Sequence, residues 1–212
     1  MDIEKLHAKY GEEKVLCIPN LYEEGYGYLD LMYDITRFGE FRLRYEVEQD
    51  EKWLQVIPYV VVKNSDKYFV TRRLAGDERL KGMVAFLGGH VNPIDRSANW
   101  LVEELISADA TMHNCVLREL REETTVRDWM IGDCECIKVF VDMRAPVSRV
   151  HICALVITEL PDEFVKYLKI RETEKLEGDW VTLDELKEAM GNGKMEGWAE
   201  IATKELLKGK GE

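Results

Sequence analysis

Three observations predict an α/β fold, a mixed sheet packed between helices as an α/β/α sandwich: a β-rich apolar stretch from Leu54 to Arg73, an acidic helical run from Cys115 to Val126, and further strands followed by helices toward the carboxyl end. The 212 residues, 46% of them apolar, suffice for one principal core plus an appended segment. The expected division is an accessory amino-terminal segment over residues 1–50 and a main domain over 51–212.

Within the accessory segment, Phe41–Val47 alternates apolar and charged residues, which predicts a half-buried strand. From Leu54 to Lys63 the chain is apolar and β-rich, Asn64-Ser65-Asp66 is a turn signal, and Lys67–Arg73 resumes strand character, so a hairpin is expected. A charged loop, Gly76–Gly82, precedes a strand that ends in Gly88-Gly89. In Arg96–Thr111 the apolar positions between Ala98 and Ile106 recur with helical spacing and suggest an extra helix. Beyond the acidic helix, strands are expected over Cys136–Asp142 and Arg149–Thr158, and a short one ends at Trp180-Val181. Thr182-Leu183-Asp184-Glu185 reads as a capping box that opens a helix, and a last amphipathic helix runs from Met195 to Leu207.

A net charge of −12 argues against extended nucleic acid or an anionic membrane as the partner, and an anionic substrate would need cations to offset repulsion. The start of the chain lacks the apolar core of a secretory signal, and no run is long enough to cross a bilayer, so the cytoplasm is the expected compartment. Five cysteines without framework spacing fit reduced thiols. Cys134-Glu135-Cys136 has no second pair to complete a zinc site.

The most informative stretch is Arg118-Glu119-Leu120-Arg121-Glu122-Glu123. Glu119, Glu122 and Glu123 stand at i, i+3 and i+4, which places three carboxylates on one helical face. Such a run also describes an ordinary solvated helix with i, i+4 ion pairs. Crowded carboxylates repel one another unless a cation neutralises them, and hard oxygen ligands suit Mg²⁺ or Mn²⁺. Upstream, Gly88-Gly89 closes an apolar run and permits close backbone approach to a ligand.

With these two parts the chain resembles the Nudix hydrolase family, whose signature runs G-x5-E-x7-R-E-U-x-E-E-x-G-U, U being a bulky apolar residue. Arg118, Glu119, Leu120, Glu122, Glu123 and Val126 match its second half, and Gly89 fits the opening glycine. The signature is split: Arg118 lies 29 positions after Gly89, where the family has 14, an insertion of about fifteen residues. Counting forward from Gly89 puts the first glutamate on Asp95, and counting backward from Arg118 puts it on Ala110, so no role is carried to that position. Thr125 stands where the family usually has glycine, a change expected to perturb the end of the helix more than metal binding.

The resemblance implies a Nudix-like α/β/α sandwich and hydrolysis of a diphosphate linkage in a nucleoside diphosphate joined to another group. It implies Mg²⁺ or Mn²⁺ held by Glu122 and Glu123, with Glu119 as a ligand or as the base, and Arg118 orienting the cluster by pairing with one of its carboxylates. The carbonyl of Gly88 or Gly89 would complete the coordination. A downstream carboxylate would assist, Glu174 ahead of Glu172 and Glu177. Substrate contacts are expected from Arg73, Lys81 and His90, with Arg72 and Arg79 as further candidates for phosphate and Trp100, Trp129, Trp180 and Trp198 as candidates for stacking on a base.

Two other readings stand beside the hydrolase. A non-catalytic nucleotide-binding sensor of the same fold would retain metal binding without turnover. An isoprenoid diphosphate isomerase shares the fold and a similar acidic helix, but glycine stands where its catalytic cysteine is expected, and Cys115 belongs to the helix, where packing is its natural role. The accessory segment is expected to mediate a homodimer.

Overall fold

The computed structural model describes residues 3–75, 80–99 and 105–209 and has the expected α/β character, a mixed sheet with helices. The elements run α1 (Ile3–Tyr10), β1 (Lys14–Pro19), α2 (Tyr28–Phe38), β2 (Glu40–Leu43), α3 (Arg44–Val47), β3 (Trp53–Asn64), β4 (Lys67–Arg73), β5 (Val84–Ala85), β6 (Leu87–Gly88), α4 (Ala108–Glu123), β7 (Cys134–Phe140), β8 (His151–Glu159), α5 (Asp162–Val165), β9 (Leu176–Thr182), α6 (Leu183–Gly191) and α7 (Gly197–Gly209). No helix among the described residues is long and apolar enough to cross a membrane. The chain divides into two units: Met1–Pro58, Gly89–Arg118 and Cys136–Ala154 form the first, and Tyr59–Gly88, Glu119–Glu135 and Leu155–Glu212 the second.

In the first unit β1 pairs antiparallel with β2, from Lys14↔Leu43 to Cys17↔Glu40, and with β3, from Cys17↔Gln55 to Pro19↔Trp53. Its core joins Leu16 and Ile18 of β1, Leu31 and Ile35 of α2, Leu54 and Val56 of β3, Met112 and Cys115 of α4, and Ile152 and Ala154 of β8. Each fully buried leucine or isoleucine contributes about 1.5–3 kcal/mol relative to exposure, so α2, with two of them spaced i, i+4, is held by packing. The strand expected over Phe41–Val47 stops at Leu43. Arg44 diverts the chain: its amide donates to the Glu13 carbonyl at 2.8 Å, its guanidinium pairs with Glu13 at 3.0 Å and lies 4.1 Å from the centre of the Tyr10 ring.

The helix expected between Ala98 and Ile106 falls largely on residues 100–104, outside the described residues. Its flanks are not helical, because Ala98 and Ile106 form an antiparallel bridge and the Ser107 amide donates to the Ser97 carbonyl at 2.8 Å. The insertion therefore leaves and returns through paired extended backbone, and Ala108–Thr111, its last residues, already belong to α4.

In the second unit β3 and β4 form the expected hairpin with Asn64 opposite Lys67, and Ser65 takes the left-handed turn position at φ 52°. Strand β9 covers β4 along its length, from Lys67↔Thr182 to Arg73↔Leu176. Gly178 sits opposite Thr71 because a Cβ there would stand 2.4 Å from the Phe69 ring and 2.7 Å from Ile170. The strand expected before the glycine pair is two short ones, β5 and β6, separated at Phe86, whose amide donates to the Tyr59 hydroxyl at 3.0 Å. The capping box forms as read: the Thr182 hydroxyl accepts from the Glu185 amide at 3.3 Å, and the Glu185 carboxylate accepts from the Thr182 amide at 2.7 Å.

Candidate active site

Helix α4 explains the three carboxylates by periodicity. Met112, Cys115, Val116 and Leu120 make its buried stripe, and Glu119, at i+3 from Val116 and i+4 from Cys115, lies on the same stripe and is only 8% exposed. Glu123 is half-buried one turn further on, whereas Glu122 is exposed. The last five residues of α4, with all three glutamates, belong to the second unit. There burial raises the Glu123 carboxyl to about 8, with the charges of Glu119, Glu172 and Glu122 adding to the rise and Arg73 opposing it. Arg73, at the end of β4, also pairs with Glu196 at 3.4 Å, and burial lifts the Glu196 carboxyl against the pull of Arg73.

The fit to a divalent cation rests on the donor set. Three glutamates of one helix, joined electrostatically by Glu172, form an oxygen-rich group whose mutual repulsion a hard cation relieves. Among the described residues no three His, Cys, Asp or Glu side chains converge as ready ligands for one ion. Among the downstream carboxylates, Glu172 adds to the rise at Glu123. Glu174 is exposed in the turn before β9, and Glu177 lies on β9 opposite Arg72.

In the first unit Arg118 has a partner that the sequence reading did not name: Asp95 receives its guanidinium in two hydrogen bonds, from Nε at 2.8 Å and Nη2 at 2.9 Å. Asp95 is 2% exposed, and its carboxylate also accepts from the Asn92 amide at 2.8 Å. Nη2 of Arg118 donates in addition to the His90 carbonyl at 2.8 Å. The forward count from Gly89 reaches this same Asp95, the residue that Arg118 binds. Asn114, one turn before Arg118, adds a bond from its side chain to the Asp95 carbonyl at 3.1 Å.

The remaining candidates separate clearly. Gly88 pairs with Tyr59 at φ 150°, a backbone that a side chain rarely adopts, and the Gly89 carbonyl lies 4.0 Å from the Cys115 sulfur. Cys115 is fully buried, with its thiol 3.6 Å from the His90 carbonyl. Lys81 is exposed and bridges to Arg73 through the backbone, Arg72 lies 3.8 Å from Asp179, and Arg79 and Trp100 lie outside the described residues. Trp180 and Trp198 pack edge-on against Phe69 and Tyr59, and Trp129, largely exposed, meets Phe164. His90 contacts His151 ring to ring, an interaction the sequence did not signal.

Where the family usually has glycine, Thr125 keeps a negative φ; among the described residues only Ser65 is a non-glycine with positive φ. The chain leaves α4 in extended form and ties to the segment before β9: the Thr125 amide donates to the Lys169 carbonyl at 2.9 Å, and the Arg171 amide to the Glu123 carbonyl at 2.9 Å. The Thr125 hydroxyl bonds the Tyr167 carbonyl.

An α/β protein with a carboxylate-bearing helix after a Gly-Gly turn is thus defined, and its relatives agree. Residues 53–200 match the NUDIX domain. Protein YmaB of Bacillus subtilis (strain 168) is 27% identical over 193 residues, 90% of this chain and 89% of that protein. The crystal structure of Tm1382, assigned to the Nudix hydrolases, superposes with a TM-score of 0.72 at 26% identity and covers 92% of this chain and 99% of its own. DR0079 from Deinococcus radiodurans, at 13% identity and a TM-score of 0.53 over 89% of this chain and 97% of its own, shares the fold. The chain belongs to the Nudix family, whose enzymes are hydrolases.

Proposed function

We propose that the protein is a Mg²⁺- or Mn²⁺-dependent hydrolase that cleaves a diphosphate linkage in a nucleoside diphosphate joined to another group. The observation that carries the reading is the raised Glu123 carboxyl, crowded by the charges of Glu119, Glu172 and Glu122, on the half of the Nudix signature that the chain matches. A divalent cation bound there supplies Lewis acidity toward phosphoryl oxygens and an acidified water. Glu122 and Glu123 would hold it, with a downstream carboxylate, Glu172 or Glu174, as a supplementary oxygen. Glu119, buried on the helix, would hold the cation or accept a proton from water at its carboxylate. Arg118 fixes the preceding turn of α4 through Asp95 and acts on the chemistry only through that positioning. Arg73 offers a guanidinium at the carboxylate group that can hold a phosphate oxygen, and Lys81 beside it adds charge.

The test is release of phosphate or nucleotide from nucleoside triphosphates, dinucleoside polyphosphates, nucleotide sugars and dinucleotide coenzymes with Mg²⁺ or Mn²⁺, comparing wild type with Glu122→Gln. Metal-dependent turnover that falls by roughly 10²-fold or more in the variant is the expected result. Equal silence of both proteins across all compounds and both metals, in a protein that still binds metal, would favour the sensor. That second reading draws on the absence of three converging ligands among the described residues. The isomerase loses its support, because the Cys115 thiol is buried against backbone carbonyls.

A further inference from the structure

Helix α2, in the first unit, buries one face and leaves the other open. Leu31, Met32 and Ile35 enter the core, and Asp34 beside them accepts from the Tyr26 hydroxyl at 2.7 Å. On the opposite face Leu29 is 81% exposed and Tyr33, one turn on, is 63% exposed. Phe38, 42% exposed, turns its ring edge-on to Tyr33 with 6.3 Å between centres. Single exposed apolar residues are ordinary, but three large ones along a helix of eleven residues mark a contact surface. The same face carries an exposed charge near each end, Asp30 in the first turn and Arg37 in the last. Asp30 accepts from the Gly27 amide at 2.8 Å, and Arg37 has no hydrogen bond or ion pair among the described residues. Beside Asp30 and Tyr33 runs a groove of about 330 Å³, lined further by Glu23, Glu24 and Tyr26.

We propose that this face binds a second copy of the chain, whose α2 lies antiparallel on it about a dyad beside Tyr33. A dyad between positions 33 and 34 sets each residue opposite the one equally far away on the other side. Asp30 then faces Arg37 of the second copy, and Arg37 faces Asp30 of the second copy. Leu29 and Phe38 face one another in the same way at both ends, and the two Tyr33 rings meet at the centre. One register therefore pairs both charges and the outer apolar residues, and an isologous contact demands such a patch, complementary to itself. The guanidinium of Arg37 also arrives at a groove whose flanking charges, Glu23 and Glu24, are of opposite sign. A net charge of −12 opposes indiscriminate self-association, so two copies need a face where unlike charges meet. Eleven residues span only about 16 Å, which makes a small contact and a reversible dimer with a dissociation constant on the order of 10 µM.

Sedimentation equilibrium of the full chain from about 1 to 300 µM reads the association directly, and the wild-type mass should rise from one chain to two. Tyr33→Lys puts two ammonium groups at the dyad and should stay at one chain throughout, with the far-UV circular dichroism of wild type. Arg37→Asp and Asp30→Arg each set like charges against one another at both crossings and should weaken the dimer about tenfold or more. Mixed in equal amounts, these two variants should pair with each other within about threefold of the wild-type constant, because both crossings then join an aspartate to an arginine. Asp30→Arg gives up the bond to the Gly27 amide, so Tyr33→Lys and Arg37→Asp, which touch no described hydrogen bond, decide the matter if that variant unfolds. A wild type that stays at one chain overturns the proposal and leaves the face to another protein. A dimer that persists in Tyr33→Lys or is unmoved in Arg37→Asp places the contact elsewhere and overturns it too. Two folded single-chain variants that fail to pair on mixing overturn the antiparallel register.

Discussion

Two adjoining stretches of helix α4, Arg118 and the run Glu119–Glu123 that follows it, differ in their electrostatics. At Arg118 every charge is answered: the guanidinium meets Asp95 through two bonds of 2.8 and 2.9 Å, and Asp95 has a further amide donor. In the run that follows, Glu119–Glu123, three carboxylates accompany one arginine, Arg121, and burial with the charges of Glu119, Glu172 and Glu122 pushes the Glu123 carboxyl up to about 8 against the pull of Arg73. Like charges at i, i+4 cost a helix stability, so this crowding is not what stability alone selects. The difference marks the Arg118–Asp95 pair as scaffold and Glu123 as the carboxyl on which its charged neighbours act most.

The largest effect expected from this contrast is at Arg118. Arg118→Met strands a buried Asp95 carboxylate and should lower stability by about 3–5 kcal/mol in urea unfolding. Adding Asp95→Leu to it should return a large part of the loss, because no charge is then left alone. In the run that follows, Glu123→Gln removes one of several like charges and should leave the metal-free protein as stable as wild type or about 1 kcal/mol more so. Wild type should gain about 2.7 kcal/mol at a metal concentration one hundred times its dissociation constant, and the variant should lose that response. If Glu123→Gln destabilises as much as Arg118→Met does, the carboxylates are structural and the contrast collapses.

A smaller effect follows from the two histidines beside the scaffold pair. Burial, above all, lowers both His90 and His151 below the ordinary value of 6.5. Between the folded values and 6.5 the unfolded chain binds protons that the folded chain does not, so stability is full above about pH 6.5 and falls as the pH drops below it. The slope is on the order of 1.4 kcal/mol per pH unit for each histidine. Urea midpoints at pH 7.5, 6.5 and 5.5 should show the fall, and His151→Phe should flatten it. A midpoint that stays level for the wild type would mean that the pair is protonated in the folded protein.

The sequence carried the acidic run more clearly than the scaffold pair, for a physical reason. Glu119, Glu122 and Glu123 are neighbours on one helix, and helical periodicity alone places them on one face. Arg118 and Asp95 come together only after the insertion is folded away, and an aspartate where the pattern has a glutamate gave no local sign of it. His151 lies 61 residues beyond His90, a separation that no spacing rule reads. The hairpin and the capping box of α6 were legible because each depends on residues within a few positions. The truncation of the Phe41–Val47 strand was not, since Arg44 leaves it for Glu13 and Tyr10, which lie outside any local window. Glu172 and Glu174 could not be ranked from sequence, because both fall in the irregular segment between α5 and β9.

The smallest expected effect tests how far the departure at Thr125 has been absorbed. Glycine at the end of a helix is useful when the chain must turn through the left-handed region, and Thr125 does not do so. Its amide and hydroxyl instead bind the carbonyls of Lys169 and Tyr167. Thr125→Gly, which restores the residue usual in the family, should therefore cost about 1–1.5 kcal/mol, part from the lost hydroxyl bond and part from the added freedom of the unfolded chain. Thr125→Ala should lose only the first part, about 1 kcal/mol. Metal binding should be unchanged in both, since the three glutamates precede this exit and Glu123 keeps its bond from the Arg171 amide. A stabilised Thr125→Gly would mean that the backbone here prefers the left-handed turn after all, and that the ties to residues 167–171 hold the end of α4 under strain.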